Sequence, residues 1–116
     1  MRNYFRYVRG KSGVGIGAIN IMEVNGTFRV GVSICAPSDT FSKTEARELA
    51  CNRTLDNSEA LVFSFYELVD NDWVVDLVDA LPHREEVVGE FCSTMFDMID
   101  DIVMDYAKEY YKSVKD

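Results

Sequence analysis

The chain has one histidine, two prolines and three cysteines, and no apolar run at its N-terminus. Cys35, Cys51 and Cys92 form an odd, widely spaced set, which excludes both a disulfide framework and the CxxC pairs typical of zinc. They read as buried thiols. Arg2, Arg6 and Arg9 interrupt the first residues, which points away from export and membrane insertion and toward the cytosol. The sequons at Asn25 and Asn52 are then without meaning. His83, between Pro82 and Arg84, has no serine or cysteine near it in a nucleophile motif and reads as a loop or helix-start residue. No catalytic, metal-binding or cofactor-binding constellation stands out. Gly10-Lys11-Ser12 has the ending of a P-loop, but Phe5 stands where that motif requires glycine and a strand pattern follows it, so a hairpin turn is the reading. Gly13, Gly15 and Gly17 fail as a dinucleotide fingerprint on spacing and on the lack of a following helix N-terminus.

What is present is charge, divided unevenly. Residues 1–54 carry 8 basic and 4 acidic side chains, a net of +4, whereas residues 55–116 carry 4 basic and 16 acidic, a net of −12. A surface this acidic disfavours direct nucleic-acid binding and favours a basic protein partner. At 116 residues and 47% hydrophobic, the chain suffices for one core, so residues 1–116 are read as a single α+β domain.

The fold reading starts at Phe28–Glu45. Phe28, Val30, Val32 and Ile34 alternate with Arg29, Gly31, Ser33 and Cys35 as a strand with one apolar face. Pro37 and Ser38-Asp39 end it, and Ser42-Lys43-Thr44-Glu45 is a capping box that opens a helix to about Thr54, burying Ala46, Leu49 and Ala50. Tyr4–Arg9 reads as a first strand whose basic side chains make a positive patch, and Val14–Val24 as a second. Asn25-Gly26 predicts a type I′ hairpin that sets Val24 against Thr27, Ile21 against Val30, Ile19 against Val32 and Gly17 against Ile34 on the core face. Gly13, Gly15 and Gly17 lie along that face and would let the capped helix or a bound partner approach closely. The opposite face, with Val14, Ile16, Ala18, Asn20 and Met22 against Arg29, Ser33 and Cys35, is mixed and predicted to be only partly covered.

Leu61–Val69 admits strand or helix; the Leu61, Phe65, Leu68, Val69 stripe favours helix. Trp73, Val74, Leu77 and Leu81 form a further helical stripe opposite Asp72, Asp76 and Asp79. From about Arg84 to Val114 a long helix is predicted, with Val88, Phe91, Cys92, Met95, Ile99, Ile102, Tyr106 and Tyr110 on its principal apolar face. A second strip, Phe96, Val103, Ala107 and Tyr111, exceeds what one sheet needs to bury and points to a homodimer.

Glu86, Glu90, Asp97, Asp101 and Asp105 recur down one side of that helix with Asp100 beside them, over roughly 28 Å at the helical rise. Three readings are open: a solvated polar face, mimicry of a nucleic-acid backbone in a Lys/Arg groove, or a dimetal carboxylate site. The last requires a second acidic helix aimed inward. A nucleotide-binding alternative rests on Lys11, Arg29, Arg47 and Arg53 beside the glycine-rich sheet.

Cys35-Ala36-Pro37-Ser38-Asp39-Thr40-Phe41-Ser42, followed by Arg47, Ala50 and Arg53, resembles a pattern of small phage-encoded accessory proteins, in which a C-x-P-x-D-x-F turn leads into a helix; Ala46 stands where that pattern has glycine. The resemblance implies a non-enzymatic, anti-CRISPR-like inhibitor acting in the bacterial host cytosol on a basic host protein such as a CRISPR effector. Its contact residues would be Glu86, Glu90, Asp97, Asp100, Asp101 and Asp105 with Asp72, Asp76 and Asp79. Sequestering an immune signalling nucleotide and metal-dependent nucleotide hydrolysis are the alternatives.

Overall fold

In the computed structural model, which describes residues 2–81 and 84–115, Asn25 and Gly26 take φ of 53° and 79° and close the predicted hairpin. Its arms are β2 (Gly15–Val24) and β3 (Thr27–Ile34), paired Val24 to Thr27, Ile21 to Val30, Ile19 to Val32 and Gly17 to Ile34 as the alternation requires. β1 (Arg2–Arg9) lies antiparallel on the other side of β2, with a bulge at Val8/Arg9 beside the Gly10–Gly13 turn. β4 (Leu61–Ser64) adds to β3, so the sheet has four antiparallel strands in the order β1-β2-β3-β4, one more than predicted. Pro82 and His83 lie outside the described residues.

The fourth strand comes from the ambiguous segment, which is both strand and helix. Leu61 and Phe63 pair with Val30 and Phe28, and the chain then turns at Ser64 into α2 (Phe65–Val69). Ser64 and Glu67 form a reciprocal capping box, the hydroxyl accepting the Glu67 amide at 3.2 Å and the carboxylate accepting the Ser64 amide at 2.9 Å.

The capped helix α1 (Lys43–Leu55) begins at Ser42, whose hydroxyl accepts the Glu45 amide at 3.3 Å. It packs on the face predicted to be partly open, not on the glycine-lined core face. Ala46, Ala50 and Thr54, at i, i+4 and i+8, are its buried residues, and Leu49 is exposed. The sheet beneath offers Ala18, Asn20, Gly31 and Ser33, side chains small enough for the helix backbone to approach. Ser33 donates to the Ala46 carbonyl at 2.7 Å, Arg29 to the Thr54 carbonyl at 2.8 Å and Arg53 to the Val32 carbonyl at 2.7 Å. The molecule therefore has three layers, with α1 on one side of the sheet and the remaining helices on the other.

That other side holds the main core. Ile19, Ile21, Phe28, Val30 and Phe63 of the sheet meet Leu68, Trp73, Leu77, Phe91, Met95, Met98 and Ile102. Each fully buried side chain of this size contributes about 1.5–3 kcal/mol by leaving water. α3 (Val74–Asp79) buries Leu77 beside Trp73, whose indole N–H donates to the Leu68 carbonyl at 3.0 Å. A 3-10 turn (Glu85–Val87) then enters α4 (Val88–Lys115). Gly17 faces this helix, not α1: a Cβ there would meet Phe91 at 2.7 Å. Past the register shift at Val8/Arg9 the predicted faces are exchanged: Ile16 packs on the main core and Gly15 is covered by Phe41 on the α1 side, while Gly13 takes φ of 86° in the turn.

α4 has 28 residues, about 42 Å at the helical rise. It outruns the sheet. Its core stripe holds from Val88 to Tyr106 with Met98 added, but Tyr110 is exposed, as is every residue from Lys108 to Ser113. Among the described residues no helix is long and apolar enough to cross a membrane.

Candidate functional site: the acidic helical layer

The carboxylate row of α4 does not form one surface. Asp101 and Asp105 sit one turn apart on the flank that meets β1, where alternate side chains Arg2, Tyr4 and Arg6 point toward the helix. Arg6 pairs with Asp101 at 2.5 Å, and the Tyr4 hydroxyl donates to Asp105 at 2.8 Å. Arg2 pairs with Glu109, one turn further on, and lies over the Tyr106 ring. Burial, and then the adjacent Asp105 carboxylate, push the Tyr4 phenol up to about 12. These acids fasten the helix to the edge strand. Glu109 was not among the sequence candidates; the i, i+4 continuation from Asp97 through Asp101 and Asp105 leads directly to it.

Asp97 and Asp100 lie on the outer ridge of α4, exposed and with no cation within ion-pair distance among the described residues. Glu90 is half-buried in the first turn of the helix, where its charge suits the helix dipole. Glu86 stands apart: Arg84 pairs with it at 2.6 Å, and its carboxyl is held below the usual range first by its own backbone amide and then by Arg84. Arg84 also donates to the Cys35 carbonyl, satisfying an acceptor at the end of β3 beyond the reach of β4. Nothing in the sequence pattern singled out Arg84.

Asp72, Asp76 and Asp79 are all exposed and without a cationic partner among the described residues. α3 is held against α4 by Trp73, which packs edge-on to Phe96 with ring centres 5.1 Å apart. The acids of α3 and of the N-terminal half of α4 therefore belong to one helical layer. Between Arg53 and Arg84 the chain has no lysine or arginine, and between Arg84 and Lys108 none either, so local sequence cannot neutralise this layer.

The basic alternative is not gathered. Arg29 is engaged with the Thr54 carbonyl and Asn57, Arg53 with the Val32 carbonyl and Glu59, and Arg47 lies over the Phe5 ring. Lys11 sits in the β1–β2 turn. Arg53 borders a cleft of 360 Å³ against Val30, Val32 and Leu61. A second cavity, of 330 Å³, lies between the end of β3 and the start of α1; Cys35, Asp39, Phe41, Ser42 and Glu45 line it and no cation does. An open groove of 560 Å³ follows the free edge of β1 past Arg6, Arg9, Met98 and Asp101. Among the described residues no three His, Cys, Asp or Glu side chains are close enough together to hold a metal ion. The chain matches no family model, no curated protein and no solved structure.

Proposed function

We propose that this protein is a non-catalytic inhibitor of the phage type that seats its acidic helical layer on a basic, nucleic-acid-binding surface of a host defence protein, a CRISPR effector being the class to test first. The observation that carries this reading is the uncompensated charge on α3 and in the turn before it: Asp72, Asp76 and Asp79 are exposed and lack a cationic partner among the described residues. Carboxylates in such a cluster repel one another in the free protein, and a Lys/Arg groove relieves that repulsion as it does for phosphates. The contact surface is narrower than the sequence row, because Asp101 and Asp105 already serve β1 and Glu86 serves Arg84.

The test is competition. Added to an effector binding labelled duplex DNA, the protein should displace the duplex at low salt and lose potency as ionic strength rises. A variant carrying Asp72→Lys, Asp76→Lys and Asp79→Lys should be weaker by about 10-fold or more while keeping its circular dichroism spectrum. Equal potency of this variant, or an effector panel whose DNA binding is untouched, removes the reading.

A further inference from the structure

The outer ridge of α4 carries a charge pattern that its own domain leaves unused. Asp97 and Asp100 stand on the N-terminal side, Lys108 and Lys112 further along the helix, and Val103 and Met104 between them. Met104, Tyr110 and Tyr111 are 58%, 65% and 65% exposed, and Phe96 and Val103 are open as well. Every residue from Lys108 to Ser113 is exposed, and Glu109, through Arg2, ties the stretch back to its own domain, although helical turns are stabilised in water chiefly by packing.

From these features we infer that the ridge is a homodimer interface, in which two α4 helices pack antiparallel about a two-fold axis at Val103 and Met104. Asp97, Asp100, Met104, Ala107 and Tyr111 follow one another at intervals of three and four residues, the spacing of a two-helix seam. Phe96, Val103 and Tyr110 flank it on one side, Asp101 and Lys108 on the other. Antiparallel pairing about that axis sets Asp100 of each copy near Lys108 of the other, Asp97 opposite Tyr111 and Phe96 beside Tyr110, each contact made twice. Parallel pairing would set Asp97 and Asp100 against themselves, which costs free energy. The antiparallel arrangement also lays the exposed last turns of each helix along the partner's first half. From Asp97 to Tyr111 the seam is about 21 Å long, shorter than a standard interface supplies, so self-association belongs in the weak, concentration-dependent class.

Charge exchange tests both the dimer and its polarity, read by sedimentation velocity with helicity checked in parallel. A variant with Asp97→Lys and Asp100→Lys should dissociate at least 10-fold more readily, as should one with Lys108→Asp and Lys112→Asp. All four substitutions in one chain should restore self-association to within about 3-fold, because only antiparallel partners recover opposite charges. Failure of the four-fold variant to recover, or a wild-type chain that stays monomeric at several hundred micromolar, overturns the inference. Asp76 and Asp79 lie on α3 and Asp72 in the turn before it, off this seam, so reversing them leaves self-association intact and the two proposals fail separately.

Discussion

Replacing Gly31 by alanine tests the contact on which the three-layer arrangement depends. A Cβ at Gly31 would lie 2.1 Å from the Ala50 carbonyl oxygen, 2.3 Å from the Thr54 hydroxyl and 2.5 Å from the Thr54 amide nitrogen. Two of the three atoms are α1 backbone, so no rotamer change relieves the overlap. The helix must retreat by roughly 1 Å from a close-packed interface. That retreat loosens the bonds from Ser33 to the Ala46 carbonyl, from Arg29 to the Thr54 carbonyl and from Arg53 to the Val32 carbonyl. Overpacking costs about 1–3 kcal/mol, and each weakened hydrogen bond adds a fraction of about 0.5–1.5 kcal/mol. Alanine recovers about 0.5–1 kcal/mol of chain entropy relative to glycine, which leaves a net loss of about 2–4 kcal/mol. With a urea slope of about 1–3 kcal/mol/M, the unfolding midpoint should fall by roughly 1–2 M. Gly89 is the control: it lies in α4 with no atom within 4 Å of a built Cβ, so Gly89→Ala should raise stability by about 0.5–1 kcal/mol. An unchanged midpoint for Gly31→Ala beside a stabilised Gly89→Ala would refute the close approach of α1.

The Tyr4 phenol, raised to about 12 from the usual 10.0, makes stability depend on pH at the alkaline end. Because the folded value is the higher, its contribution is complete below about pH 10 and is lost between pH 10 and 12 as the phenol ionises beside Asp105. Tyr4→Phe should flatten that part of the stability profile and remove the last-titrating tyrosine from the ultraviolet absorbance curve; a wild-type chain whose tyrosines all titrate together contradicts this. Arg84→Met keeps the aliphatic volume but leaves the Cys35 carbonyl without its donor, at a cost of about 1–3 kcal/mol, and denaturant unfolding of the variant would expose the argument if the midpoint did not move.

The hairpin, its register and the cap of α1 were legible because their causes are local. Asn25-Gly26 tolerates the two positive φ values, period-2 alternation allows one register for Phe28, Val30, Val32 and Ile34, and the Ser42 hydroxyl reaches the Glu45 amide three residues away. The turn from β4 into α2 was missed, although Ser64-Phe65-Tyr66-Glu67 has the spacing of Ser42-Lys43-Thr44-Glu45, because the helical stripe through Leu61 and Phe65 masked it. Which face α1 would cover was not, because both faces of β2 and β3 carry glycines or small residues. The choice rests on the fit of Ala46, Ala50 and Thr54 over Ala18, Gly31 and Ser33, which exists only once the sheet is assembled. The same holds for charge. Sequence alone placed acids along α4 at helical spacing and concentrated them in the second half of the chain; only the packing of α4 against β1 assigned Asp101 and Asp105 to Arg6 and Tyr4, while Asp72, Asp76 and Asp79 stayed in solvent. Composition determines how much charge a chain carries, but pairing is a matter of distances across a fold, between residues here separated by 95 and 101 positions.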